Sequence, residues 1–434
     1  MTADASAGQD AVAGEYPSPR GTGDALTEPV SRVSSGWVGA IALANLGLFM
    51  AYFGPLGVLL PNQVQAVAGA HRVVAFAWVS GLGATVAMIV NPLAGALSDR
   101  TTSRFGRCRP LVLGGAAGAA AALLLVGRLH SIPLIAAGWC LAQVGVNAMQ
   151  AGLAAGVPDR VPVSQRGAVS GWIGIAQTVA VLAAAALVTR VAGDTGYLLL
   201  AAALVVFALP FVLATPDPPL SRTDRPELSW LTFVRSFWPG EVRNLDFGWA
   251  WLTRFLMVLG NAMAVVYLLY FLRRIGLTGP VLGHTAEDGL VVLLTVYTVA
   301  VVGTTIVAGR NSDRNGRRRR PVALAGVVMA MAAVLLAIRP TGPVLLAAAL
   351  ILGVGFGMYL SIDQALVTQV LSSPAGRAKD LGVISVASSA GQAMAPAIAA
   401  PLVTYLGGFT TLYLCVAVLV LLGSASVWRI RSVP

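Results

Sequence analysis

Two ionisable side chains, Arg254 and Asp363, stand inside runs of sequence that are otherwise apolar enough to lie in lipid. A charge in such a place is costly and points to pairing, ligand contact or proton movement. Arg254 lies about six residues in from one end of its run, and Asp363 about eight from the like end of its own; at about 1.5 Å rise per residue, these depths are roughly 9 and 12 Å. The two are nearly level, so an ion pair is sterically open. If the pair forms in one state and opens in another, Asp363 carries a proton and Arg254 is freed. If it never opens, the pair is structural.

Polar and aromatic residues recur at helical spacing in the same and neighbouring runs. The first run offers Asn45, Phe49 and Tyr52; the fourth Trp139, Gln143, Asn147 and Gln150 along one face. The seventh adds Trp251, Arg254 and Asn261, the tenth Phe356, Tyr359 and Asp363, and the eleventh Ser385, Ser388, Ser389 and Gln392. Amides supply donors and acceptors and rings an apolar face, which suits a polyhydroxylated or otherwise neutral polar ligand. Candidate substrate-binding residues are therefore Asn45, Tyr52, Gln143, Asn147, Gln150, Arg254, Asn261, Tyr359 and Gln392, with Asp363 and Arg254 as the proton-coupling pair. The competing reading is interhelical hydrogen-bond glue, often contributing only about 0.6 kcal/mol per group.

Other chemistries lack their residues. His71, His130 and His284 all fall between apolar runs, and no metal-ligand spacing, phosphate-binding GxxxxGK[ST] sequence or Ser–His–Asp set is present. No catalytic residue, metal or cofactor is expected, nor is ATP-driven pumping by this chain. Cys108, Cys140 and Cys415 have no disulfide spacing and read as free thiols.

The elements that must hold these residues follow from composition. Of 434 residues 57% are hydrophobic and 11% charged, against about 45–50% and about 25% in a soluble domain. This is an integral membrane protein. Twelve runs reach the length needed to cross hydrocarbon: 37–60, 73–97, 111–128, 132–157, 168–189, 195–215, 248–272, 289–308, 322–338, 343–371, 382–405 and 408–428. Each must be helical, since lipid offers unpaired backbone groups no partner. The expected organisation is a disordered tail over 1–36, six spans over 37–215, a connector over 216–247, six spans over 248–428 and a tail over 429–434. The connector carries LSWLTFVRSFW at 228–238, which has the pattern of a short helix lying in the membrane interface.

The net charge of +11 has a topological rather than a nucleic-acid explanation, and no nucleic-acid partner is expected. Alternate loops hold 22 and six of the 29 basic residues, and Arg254 is the remaining one. The positive-inside rule then sets both termini in the cytoplasm, and twelve spans satisfy that parity.

The halves echo each other. Ser98-Asp99-Arg100 recurs 214 positions later as Ser312-Asp313-Arg314, and Arg166 with Gly171 recurs 211 positions later as Arg377 with Gly382. Such an offset marks a duplicated six-helix unit. The segment GALSDRTTSRFGRCRP at 95–110, with its degenerate copy GRNSDRNGRRRRP at 309–321, resembles the loop signature of the major facilitator superfamily. The form SDRTTSRFGR, with PDRVPVSQRG at 158–167, is most similar to its sugar–cation symporter branch, which includes sucrose carriers and the glycoside–pentoside–hexuronide group. Cys108 stands where that pattern usually has another Arg, and the second copy is three residues shorter. The resemblance implies two six-helix bundles around a central cavity lined by the first, fourth, seventh and tenth spans, which would bring Arg254 and Asp363 to its wall.

The loop also has a physical argument of its own. Asp99 is the sole acid in a thirteen-residue segment with four arginines. A carboxylate there can accept from the positive end of a neighbouring helix and from an Arg. Asp159 can hold Arg104 or Arg100 in the same way, so Asp99, Arg100, Arg104, Arg107, Asp159, Asp313 and Arg314 form a candidate conformational latch. The plainer alternative is that the arginines fix topology and touch lipid phosphates.

The expectation is a secondary transporter in the cell membrane, acting as a monomer. It would move a small polar organic solute, sugar-like by preference, by alternating access with a proton or other cation as partner. The alternatives are an efflux carrier for a drug or secondary metabolite, and a non-transporting receptor or membrane-embedded enzyme. The fifth span, GWIGIAQTVAVLAAAA, lacks the Gly-Pro-rich signature common among drug exporters of the resembled superfamily. Both tails are too short for an output domain.

Overall fold

The computed structural model describes residues 31–98, 101, 103, 105–191, 193–215, 245–276, 282–315, 319–370 and 377–431. Residues 1–30 of the expected tail, and 216–244 with the expected interfacial helix, lie outside the described residues. Among the described residues eleven stretches are long and apolar enough to cross a membrane, and the first, Ser35–Gly95, is 61 residues long. That stretch divides at Gly69, whose φ of 51° and ψ of −111° no helix accommodates. Twelve spanning helices result.

Helix α1 is Ser35–Gly54 and continues through a π-helical stretch, Pro55–Leu59, into Leu60–Ala68. It is followed by α2 (Arg72–Ser98), α3 (Arg109–Gly127), α4 (Ile132–Arg160), α5 (Val163–Val188) and α6 (Gly193–Ala214). The second half holds α7 (Leu245–Val266 and, past Tyr267, Leu268–Ile275), α8 (Ala286–Asn315), α9 (Arg319–Ile338), α10 (Gly342–Val370), α11 (Arg377–Tyr405) and α12 (Gly408–Ser426). The start of α1 is capped by the Ser34 side chain, which accepts from the Trp37 amide, and α7 closes at Gly276 in the left-handed region. Several helices exceed the apolar runs that mark them: α1 reaches Ala68, α7 runs from Leu245 to Ile275 with a break at Tyr267, and α8 runs from Ala286 to Asn315.

The contact scheme repeats with a shift of six. Helix α1 packs on α5 and α6, α4 on α2 and α3, and α3 on α6; in the second half α7 packs on α11 and α12, α10 on α8 and α9, and α9 on α12. The two bundles meet chiefly through α2 with α11 and α5 with α8, a pairing that the same shift exchanges. This is a structural duplication, as the repeated Ser-Asp-Arg motif implies.

Glycines set the closest approaches. A Cβ on Gly145 of α4 would lie 2.7 Å from the Gly115 carbonyl of α3, and one on Gly115 would lie 2.5 Å from the Met149 amide. The backbones therefore touch, as small residues permit between helices in lipid. Gly145→Val should destabilise the protein by about 1–3 kcal/mol through overpacking. The check is the thermal midpoint of the purified variant, and an unchanged midpoint would contradict this packing.

Candidate functional site

Arg254 of α7 and Asp363 of α10 form an ion pair, Nη1 to Oδ2 3.2 Å, with both side chains largely buried. Helix α7 supplies the arginine from its third turn and α10 the carboxylate from near its end, which is how the level depths arise. The pair is elaborated from two sides. Arg254 Nε donates to Ser388 Oγ of α11 at 2.7 Å, and the Tyr359 hydroxyl, one turn before Asp363, donates to Oδ1 at 2.9 Å. Each carboxylate oxygen thus has a donor, the condition under which a buried charge is tolerable. Three helices of one bundle converge on this ion pair.

A second polar cluster lies in the first bundle. Gln143 and Asn147 of α4 are buried, and the Asn147 amide donates to the Gln143 backbone carbonyl at 2.8 Å and to its side-chain oxygen at 3.2 Å. One turn earlier Trp139 is fully buried, its indole N–H without a partner, with its ring centroid 6.5 Å from that of Tyr52 on α1. Asn45, also on α1, spends its amide on the Ile41 carbonyl of its own helix at 2.8 Å. Asn261 of α7 accepts from the Tyr297 hydroxyl of α8 at 3.1 Å, so it is joined to a neighbouring helix and not to Arg254. Rings continue from Tyr297 through Phe356 to Tyr359 with centroids 6.5 and 5.9 Å apart. Gln150 and Gln392 are half-buried on α4 and α11.

At the end carrying both termini, Arg107 lies 3.8 Å from Asp159, and Cys108 Sγ stands at the same distance from that carboxylate. Both contacts join the segment before α3 to the end of α4 and stay inside the first bundle. Asp99, Arg100 and Arg104 lie outside the described residues. Asp313 and Arg314 sit in the last turn of α8, with their side chains likewise outside the description.

At the opposite end a clasp joins the bundles, one that the apolar-run pattern does not mark. Arg273, in the last turn of α7, donates to Gln65 of α1 at 2.8 Å, to Asn62 of α1 and to Glu287 of α8. The Tyr270 hydroxyl donates to the Pro61 carbonyl of α1 at 3.1 Å, and Phe76 of α2 meets Tyr267 and Tyr270 edge-on, each at 5.7 Å. Arg273 was detectable as one of the few basic residues on the arginine-poor side. Its partners on α1 were not, because they lie more than 200 residues away. Among the described residues, no group of three or more His, Cys, Asp or Glu gathers where a metal could bind.

Comparison with known proteins agrees with this architecture. The family model of the Major Facilitator Superfamily matches residues 33–373 and 250–434. A sucrose transport protein of Arabidopsis thaliana is 28% identical over 116 residues, which are 27% of this chain and 22% of that protein, so the match spans about a fifth of the relative's length. Among solved structures, the nucleoside transporter NupG superposes with a TM-score of 0.70 at 13% identity, covering 91% of this chain and 99% of its own. The human organic anion transporter MFSD10 gives 0.66 at 18% identity, covering 90% and 99%. A POT family transporter in complex with a thioalcohol-conjugated peptide gives 0.69 at 12% identity, covering 90% and 95%. At these identities the structural likeness speaks for the fold, while the family match spans both six-helix halves: the chain is a membrane transporter and belongs to the major facilitator superfamily.

Proposed function

We propose that the protein moves a small, neutral, polyhydroxylated solute, sugar-like in its hydrogen bonding, by alternating access, and couples that movement to protons through Asp363 and Arg254. The observation that carries this reading is the buried network of Arg254, Asp363, Tyr359 and Ser388 on three converging helices. A carboxylate with two separable donors can be neutralised by a proton, and neutralisation releases the guanidinium for a ligand. On this reading Tyr52, Gln143, Asn147 and Gln150 of the first bundle, with Asn45, Asn261, Tyr359 and Gln392, are the candidate solute contacts. The short sucrose-transporter match supports the solute class.

The moving units are 37–215 and 248–428, joined by 216–247 and acting as a monomer. The arginine distribution supports cytoplasmic termini in a cell membrane, which makes the Arg273 clasp an outer gate and Asp99, Arg107, Asp159 and Asp313 parts of an inner latch. The direct test is uptake of labelled sugars and nucleosides into reconstituted vesicles with an imposed proton gradient. Gradient-dependent accumulation of a hydroxyl-rich neutral solute supports the proposal, and accumulation confined to charged or strongly apolar compounds overturns it. Orientation has its own check. In a background lacking the three natural cysteines, a cysteine at His71 should react with an impermeant thiol reagent added outside cells, and one placed within 216–227 should not; the reverse pattern refutes the orientation.

A further inference from the structure

A cleft of about 620 Å³ opens at the termini end of the first bundle, between the start of α1, the end of α4 and the end of α6. It is well away from the Arg254 network, which belongs to the other bundle. Three polar atoms on its lining are buried without a hydrogen-bond partner among the described residues: the indole Nε1 of Trp37, Nη2 of Arg160 and Oγ1 of Thr215. Thr215 is only 4% exposed. Three orphaned polar groups in one place are uncommon, because each forfeits its water without replacement.

Their chemistry narrows the occupant. An indole N–H and a guanidinium donate only, and a threonine hydroxyl can donate. Arg32 adds a second positive charge at the rim, and among the described residues no carboxylate lines the cleft. Such a set is dominated by donors and positive charge, so it repels a cation and offers a neutral sugar few acceptors. It fits an anion with several acceptor oxygens, of which a phosphate ester is the common example. The outer wall is formed by Gly39 of α1 with Pro210 and Ala214 of α6, all exposed and without polar side chains. They continue along membrane-spanning helices, so the polar floor lies at headgroup depth and the wall runs on at acyl-chain depth.

We propose that this cleft is a phospholipid site, in which Trp37, Arg160 and Thr215 hold the headgroup phosphate of an anionic lipid while one acyl chain lies along α1 and α6. With the termini in the cytoplasm the site faces the leaflet where anionic lipids concentrate. Its occupancy does not depend on which solute the transporter carries.

The test is native mass spectrometry of the full-length protein recovered from phosphatidylcholine vesicles with and without phosphatidylglycerol. The unaltered protein should retain phosphatidylglycerol in preference to phosphatidylcholine. Arg160→Gln should lower that retention about tenfold, the loss of one charge-assisted contact. Trp37→Phe keeps the ring against Phe211 and removes only the N–H, while Thr215→Val keeps volume and removes only the hydroxyl. Each should weaken retention severalfold with an unchanged thermal midpoint, so poor folding of the arginine variant would leave two clean readings. Equal retention by all variants overturns the proposal. So does displacement of the lipid by millimolar inorganic phosphate, which would identify a soluble-anion site instead.

Discussion

Purified Asp363→Asn protein should exchange solute across vesicle membranes at near the unaltered rate while failing to accumulate it against a proton gradient. Exchange returns each carrier loaded and needs no net proton, whereas accumulation needs Asp363 to load and unload one. Asparagine keeps an oxygen that can accept from Tyr359, while the substitution removes the charge and the site of protonation and puts an amide NH2 where an oxygen met Arg254. If the pair is instead a fixed structural element, the same change strands a buried Arg254. That costs about 3–5 kcal/mol and reduces the amount of folded protein. A double variant, Arg254→Gln with Asp363→Asn, separates the two cases: removing both charges should restore stability to a structural pair but cannot restore accumulation. Loss of both exchange and accumulation in the single variant, with thermal stability recovered in the double, would end the coupling assignment.

Arg273→Gln should open the far end of the molecule. Arg273 holds two residues of α1, Gln65 and Asn62, and so ties one bundle to the other. Charged hydrogen bonds contribute about 1.5–3 kcal/mol each, and partial exposure reduces that, so a total near 2 kcal/mol, or roughly thirtyfold in the equilibrium between states, is expected. Gly81 reports on it well: a Cβ there would stand 4.0 Å from that of Ala397 on α11, across the bundle interface, so Gly81→Cys fits without strain. In a background without Cys108, Cys140 and Cys415, that cysteine should react at least several times faster with an external thiol reagent once Arg273 is changed. Glu287→Gln is the control. It weakens a contact between α7 and α8 inside one bundle and leaves Gln65 and Asn62 in place, so labelling should barely change. Equal labelling in all three proteins would mean that the clasp does not set the closed state.

The fold was readable because lipid removes most choices. Each apolar run had to become a helix, and the repeated Ser-Asp-Arg motif announced a duplication that the packing scheme displays. The level depths of Arg254 and Asp363 follow from rise per residue, so their meeting could be anticipated from position along two helices. Tyr359 could be placed on the correct face but not assigned its hydrogen bond to Asp363, because rotamers are settled by neighbours. Asn45 and Asn261 illustrate the limit: one turned its amide to its own backbone and the other to Tyr297, and periodicity alone distinguishes neither outcome. The clasp and the cleft were illegible for a deeper reason. Arg273 meets Gln65 across 208 residues, and Trp37, Arg160 and Thr215 come from α1, the end of α4 and the residue just past α6. Such meetings depend on crossing angles that no local pattern encodes.

The distribution of glycine also says where the molecule is stiff. Among the described residues, tightly pressed glycines lie inside a bundle: Gly115 with Gly145, Gly353 and Gly357 of α10 against α8, Gly326 against Ser424, and Gly391 against Leu259. Interlocked backbones of this kind cannot slide without collision. The seam between bundles is different, since at Gly81 and Ala397 the surfaces merely rest on each other at ordinary van der Waals spacing. Compliance is therefore concentrated in one plane through the protein. A force applied at the far end should turn each half as a solid block about that plane, and the crossings within the halves should keep their geometry throughout a transport cycle.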